Sequence, residues 1–117
     1  MLASLEELVR SESPSANLEA TARCAATLAA IGAALLGVPP EHLEVDGRTH
    51  LRWVFGPQPR VAVIGHFDTV WPLGSAARWP FSVRDGRATG PGVFDMKAGA
   101  IQSRYALAAL DDLDGVT

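Results

Sequence analysis

Residues 60–69 read Arg60-Val61-Ala62-Val63-Ile64-Gly65-His66-Phe67-Asp68-Thr69. The unbroken apolar run from Val61 to Ile64 predicts a central strand over 60–65 covered on both faces, because a half-exposed strand alternates apolar and polar residues. Upstream of it, Gly56-Pro57-Gln58-Pro59 is a turn. Two shorter strands precede that turn: Leu43 and Val45 alternate on the first, and Leu51, Trp53 and Phe55 on the second. Asp46-Gly47 between them is a hairpin signal. Further back, Leu18, Ala22, Ala25, Leu28, Gly32 and Leu35 recur at three- and four-residue steps and predict one buried face of a helix over about 17–36. Gly37 ends that helix, and Pro39-Pro40 forbids its continuation. A first helix over 3–10 carries Ser4 and Glu7 at capping-box spacing, and Ser11–Ser15 forms a loop. Downstream of the run lie a stretch rich in Pro, Gly and Trp over 71–80 and a second hairpin at Asp85-Gly86. Gly90-Pro91-Gly92 leads into a helix over 96–110, and Val116 begins another strand. This order predicts an α/β fold, a central mixed sheet with flanking helices.

Composition narrows the function classes. The chain has 117 residues, is 48% hydrophobic and 20% charged, and carries a net charge of −3, which is the balance of a folded globular chain. Lys97 is the only lysine and the arginines are scattered, so no basic stripe for nucleic acid is expected. Cys24 is the only cysteine, so no disulfide forms within the chain, and a cytoplasmic setting is expected. The N-terminus, with Glu6 and Glu7, lacks the basic start and apolar core of a signal peptide. The apolar stretch from Cys24 to Val38 falls short of the ~20 residues of a membrane span and reads as a buried helix, so no membrane contact is expected.

Two segments carry chemistry. His66 and Asp68 sit where the central strand ends, the place where functional groups gather in open α/β sheets. Side chains alternate along extended backbone, so these two point the same way. A neutral imidazole is a good zinc ligand, and a carboxylate nearby fixes its ring and raises its basicity. The plainer alternative is a strand-end histidine followed by a turn-forming aspartate. In the second segment, Gly90-Pro91-Gly92-Val93-Phe94-Asp95-Met96-Lys97, Asp95 precedes a helix. It reads either as an ordinary N-cap or as a carboxylate whose two oxygens bridge two cations about 3.5–4 Å apart.

Taken together, Gly65-His66-Phe67-Asp68-Thr69-Val70-Trp71-Pro72 and Gly90-Pro91-Gly92-Val93-Phe94-Asp95-Met96-Lys97-Ala98-Gly99 resemble the zinc exopeptidase and amidohydrolase family of glutamate carboxypeptidase, acetylornithine deacetylase, succinyl-diaminopimelate desuccinylase and aminoacylase. The resemblance covers at least residues 60–110, and Glu12-Ser13-Pro14-Ser15 before a long helix is similar to the family's opening. Phe67, Trp71-Pro72 and Val93-Phe94 look most like the glutamate-carboxypeptidase branch. The resemblance implies that His66 binds one metal, that Asp68 orients it and supports catalysis, and that Asp95 bridges two Zn2+ or other divalent cations. It also implies a peptide after Asp95 that is often cis. The implied activity is hydrolysis of an amide bond in a small peptide or N-acyl amino acid by zinc-activated water.

The same resemblance implies that residues 1–117 are the N-terminal part of a catalytic domain, without the family's dimerisation domain and C-terminal half. The family's Glu-Glu pair follows the helix after the second motif, whereas Glu6-Glu7, the only adjacent pair here, precedes the first. A homodimer is implied for the full-length protein. His66 and Asp95 offer two donors for two metals, against four for structural zinc and three plus water for catalytic zinc. The chain alone is therefore expected to bind zinc weakly and to be inactive. The competing expectation is a non-catalytic α/β domain that retains the motifs. A Gly-rich anion site at Gly90-Pro91-Gly92 lacks nucleotide-loop spacing and has proline where a donor is wanted.

Other residues have plainer expectations. Cys24 fills the core beside small residues, and His42 and His50 lie on the surface. Trp71 and Trp79 either line a cleft or pack under their loop. Lys97 either pairs with a carboxylate near the metals or is an exposed first-turn lysine.

Overall fold

The computed structural model describes residues 1–117. Helix α1 spans Leu2–Arg10 and α2 spans Leu18–Leu36. The first hairpin pairs β1, Glu41–Val45, with β2, Arg48–Arg52, and the second pairs β3, Ser82–Arg84, with β4, Arg87–Thr89. Between them lies a single helical turn, α3, at Ser75–Arg78. A wide turn over Val93–Lys97 then leads into α4, Ala98–Ala108. Mixed helices and small antiparallel sheets make this an α/β fold, as predicted.

Local chemistry accounts for most boundaries. Asn17 caps α2 by accepting from the Ala20 amide, and Gly37 closes it in the left-handed region, where an L-residue with a Cβ is disfavoured. Both hairpins turn on Asp-Gly pairs with positive φ at both residues, Asp46-Gly47 and Asp85-Gly86, the geometry that matches strand twist. The capping box expected for α1 does not form. Met1 occupies the N-cap without a side-chain bond, and the Ser4 hydroxyl instead lies 3.0 Å from the Tyr105 hydroxyl on α4. The tertiary partner outcompetes the local one.

The core joins α1, α2, the wide turn and α4 through Leu5, Leu8, Val9, Cys24, Leu28, Ile31, Val93, Ala100 and Ile101. On α2 the buried face runs through Ala20, Thr21, Cys24, Ala25, Leu28, Ile31 and Gly32. Leu18 and Ala22, expected on that face, are exposed. By length and composition α2 is apolar enough to cross a membrane, but its Leu28 and Ile31 are buried in this core. Trp53, just after β2, is also buried, and its indole N–H donates to the Val38 carbonyl at 3.1 Å.

The run at 60–65 departs from expectation. It is extended but lies open: Val61, Val63 and Ile64 are exposed, Ile64 to 88%. Its pairing is confined to single bridges. Val116 bridges Val61 in parallel and Phe55 in antiparallel sense, so residues 115–117 lie between the two segments as a fragment of mixed sheet. The central strand covered on both faces that the apolar composition predicted is therefore not present: the run makes isolated bridges and stands exposed.

Candidate functional site

The ends of the two motif segments meet. His66 follows the open run, and its Nε2 lies 3.0 Å from Asp95 Oδ1. Its Nδ1 faces Asp68, 3.1 Å from the backbone carbonyl and 3.3 Å from Oδ1. The juxtaposition predicted for positions 66, 68 and 95 is thus present in the fold. Asp95 is not the helix cap that its position suggested. Lys97 precedes α4 and no side chain caps it, while Asp95 and Met96 have non-helical backbone angles. The Asp95-Met96 peptide is cis.

With an oxygen acceptor beside each ring nitrogen, the metal-free imidazole fits its protonated form, which donates from both. Burial lowers the His66 pKa, but the hydrogen bonds to the Asp68 carbonyl and the Asp95 carboxylate, with both aspartate charges, outweigh it and raise the pKa above 6.5. The folded chain therefore holds this proton more tightly than the unfolded chain. The resulting stabilisation is full below pH 6.5 and fades as pH rises through the folded pKa. Thermal midpoints of wild type and His66→Ala should differ most below pH 6.5 and converge as pH rises above it; a gap that widens with pH would refute the assignment.

Residues 12–15 hold the first motif in place, a role the sequence marked only as a loop with a family-like opening. The Thr69 amide donates to the Ser13 carbonyl at 2.8 Å and the Ser15 amide to the Thr69 carbonyl at 2.9 Å. The Ser13 hydroxyl, buried, donates to the Phe67 carbonyl at 2.6 Å. Glu12 accepts from the Gly74 and Ala76 amides, both at 2.8 Å. Burial raises the Glu12 pKa, but these amides, that of Ser75 and the Arg78 charge prevail and lower it. The short polar run Glu-Ser-Pro-Ser offers a signal only in retrospect, because its partners lie more than 50 residues away.

A cleft of about 380 Å³ opens beside His66, lined by Asp68, Thr69, Trp71, Trp79, Phe94 and Asp95 among others. Trp71 and Trp79 meet edge to face, with centroids 5.2 Å apart. They pack on each other and border the cleft as well, so the two expectations for them are not exclusive. Phe94 is 98% exposed. His42 and His50 are exposed and Cys24 is buried, in line with the sequence. Lys97 matches neither expectation: it is fully buried and bonded to carbonyls rather than to a carboxylate.

The donor set has the right chemistry for zinc, one imidazole nitrogen with carboxylate oxygens. Two ligands of one tetrahedral zinc, each about 2.0–2.1 Å from it, lie about 3.3 Å apart, close to the His66–Asp95 separation of 3.0 Å. The count is short, however, since no group of three or more His, Cys, Asp or Glu is placed to hold an ion.

Residues 62–117 match peptidase family M20/M25/M40. The match takes in both motif segments and supports an M20 hydrolase, a family that is generally metal-dependent. No curated protein matches the chain. The M20 match begins inside the open apolar run and leaves α1, α2 and the first hairpin outside it.

Proposed function

We propose that this chain carries part of the active site of a divalent-metal exopeptidase or amidohydrolase, with zinc the expected ion, that cleaves an amide bond in a small peptide or N-acyl amino acid. The observation behind this is the approach of His66 Nε2 to Asp95 Oδ1, made by two segments far apart in sequence and both inside the M20 match. The bound metal would supply Lewis acidity and a water of lowered pKa. Asp68 holds Nδ1–H, which selects the tautomer that leaves Nε2 free for the ion. Asp95 Oδ1 faces the same point, and its carboxylate, 78% exposed, keeps a second oxygen available. The raised His66 pKa means that an ion competes with a proton at Nε2. The cleft beside the pair, walled by Trp71, Trp79 and Phe94, accommodates an apolar portion of the substrate.

Zinc calorimetry on the chain tests this. Two donors predict weak binding without amide hydrolysis, and His66→Ala and Asp95→Ala should each weaken it at least about tenfold, the lower end for loss of a group supporting a metal. His50→Ala should have no effect. Equal zinc affinity in wild type, His66→Ala and Asp95→Ala would defeat the proposal, and sub-micromolar binding of two ions would refute the donor count. A non-catalytic domain that retains the motifs is the alternative, favoured by the short donor set.

A further inference from the structure

Lys97 is the largest fully buried side chain in the protein. Its ammonium donates to the Leu8 carbonyl at 2.9 Å and to the Ser11 carbonyl at 2.7 Å. Leu8 belongs to the last turn of α1 and Ser11 is its C-cap. Carbonyls at a helix C-terminus lack intrahelical partners and carry partial negative charge, so a cation there satisfies both needs. Burial lowers the Lys97 pKa, and the neighbouring Cys24 and Glu12 offset that only in part; the two carbonyls supply its hydrogen bonds.

At its other end, Lys97 closes the wide turn that bears Asp95. The Lys97 amide donates to the Gly92 carbonyl at 2.9 Å and the Ala98 amide to the Val93 carbonyl. Within that turn Asp95 and Met96 adopt φ/ψ of −125/97 and −133/36, outside any helical ladder that would hold them. The Asp95 side chain is mostly exposed, and its hydrogen-bond partner is His66. Something outside the turn must therefore fix its geometry, and the only buried polar anchor running out of it is the Lys97 side chain.

We propose that Lys97 is a positioning residue: by capping α1 with its buried ammonium, it locks the 93–97 turn so that Asp95 meets His66. The proposal rests on His66 and Asp95 forming the site proposed above. The same stretch of backbone just after α1 also holds Thr69 through Ser13 and Ser15, so residues 8–15 register both motif segments against each other.

The test is nuclear magnetic resonance on the labelled, metal-free full chain, reading contacts between the His66 ring protons and the Asp95 Hβ protons. Wild type should show them. Lys97→Met, similar in length but without donors, should lose them while contacts within the core around Leu28 and Ile101 persist. Ile31→Ala, a core truncation away from the turn, should keep them. Wild-type intensity in Lys97→Met overturns the proposal, and so does equal loss in Ile31→Ala, which would mark a general effect of stability. Should Lys97→Met not fold, Lys97→Gln, shorter and neutral with one donor group, should show partial loss, and wild-type intensity there overturns the proposal equally. Zinc calorimetry separates the two claims. Binding that needs His66 and Asp95 but is unchanged in Lys97→Met sinks the positioning role alone, whereas binding indifferent to His66 and Asp95 sinks the metal site.

Discussion

Trp53→Ala should cost about 3–5 kcal/mol, the range for truncating a large buried aromatic. Three elements depend on this one ring. Its indole N–H donates to the Val38 carbonyl beyond the end of α2. The Arg104 guanidinium of α4 lies 4.9 Å from its centroid. Its edge packs against Gly32 of α2 so closely that a Cβ there would sit 2.4 Å from Cζ2. The Trp53 carbonyl also accepts from the Thr117 hydroxyl. Truncation opens a cavity against α2 and leaves the Val38 carbonyl without its donor. Against a typical total stability of about 5–15 kcal/mol, the loss is a large share. Urea denaturation of wild type and variant checks it, and a difference below about 1 kcal/mol would show that the ring is not the joint described.

Gly92→Ala should destabilise by about 2–5 kcal/mol, from two causes that add. Gly92 has φ of 72°, which costs an L-residue about 1–2 kcal/mol. A Cβ there would also lie 2.5 Å from Thr69 Cγ2, and such overpacking costs about 1–3 kcal/mol. Thr69 cannot retreat, because its amide and carbonyl are both bonded to residues 13 and 15 and it is buried. Gly37 provides the internal comparison: its φ is 75° but nothing lies within 4 Å of its would-be Cβ. Gly37→Ala should therefore cost only the backbone strain, about 1–2 kcal/mol. Denaturation curves that put the two variants level would remove the steric contact with Thr69 from the account.

Much of this was legible in the sequence because it is local. Asn17, Gly37 and the two Asp-Gly pairs act within a few residues, and α2 and both hairpin turns stand where expected, although β2 ends at Arg52, before the Trp53 and Phe55 that the alternation placed on it. The convergence of His66 with Asp95 was legible for a different reason: the two motif segments together resemble a family whose site needs it. The largest misreadings are non-local. Ser4 reaches Tyr105 instead of capping its own helix, and Lys97 reaches back to α1 instead of pointing to solvent or a carboxylate. Burial at 60–65 depends on what packs over the strand, and hydrophobicity alone says only that the strand suits such a cover. Position 97 shows the limit most clearly, since lysine is among the side chains most seldom buried and only two distant carbonyls explain why this one is.

The acceptors for the Lys97 ammonium and the rungs that pin Thr69 all belong to residues 8–15, outside the stretch 62–117 that carries the family signature. That signature therefore does not delimit an autonomous module. Excising it at Ala62 would discard the Leu5, Leu8, Val9, Cys24, Leu28 and Ile31 share of the interior and strand a cation with nothing to bind. The recognisable half of the chain borrows its shape from the half that sequence comparison passes over.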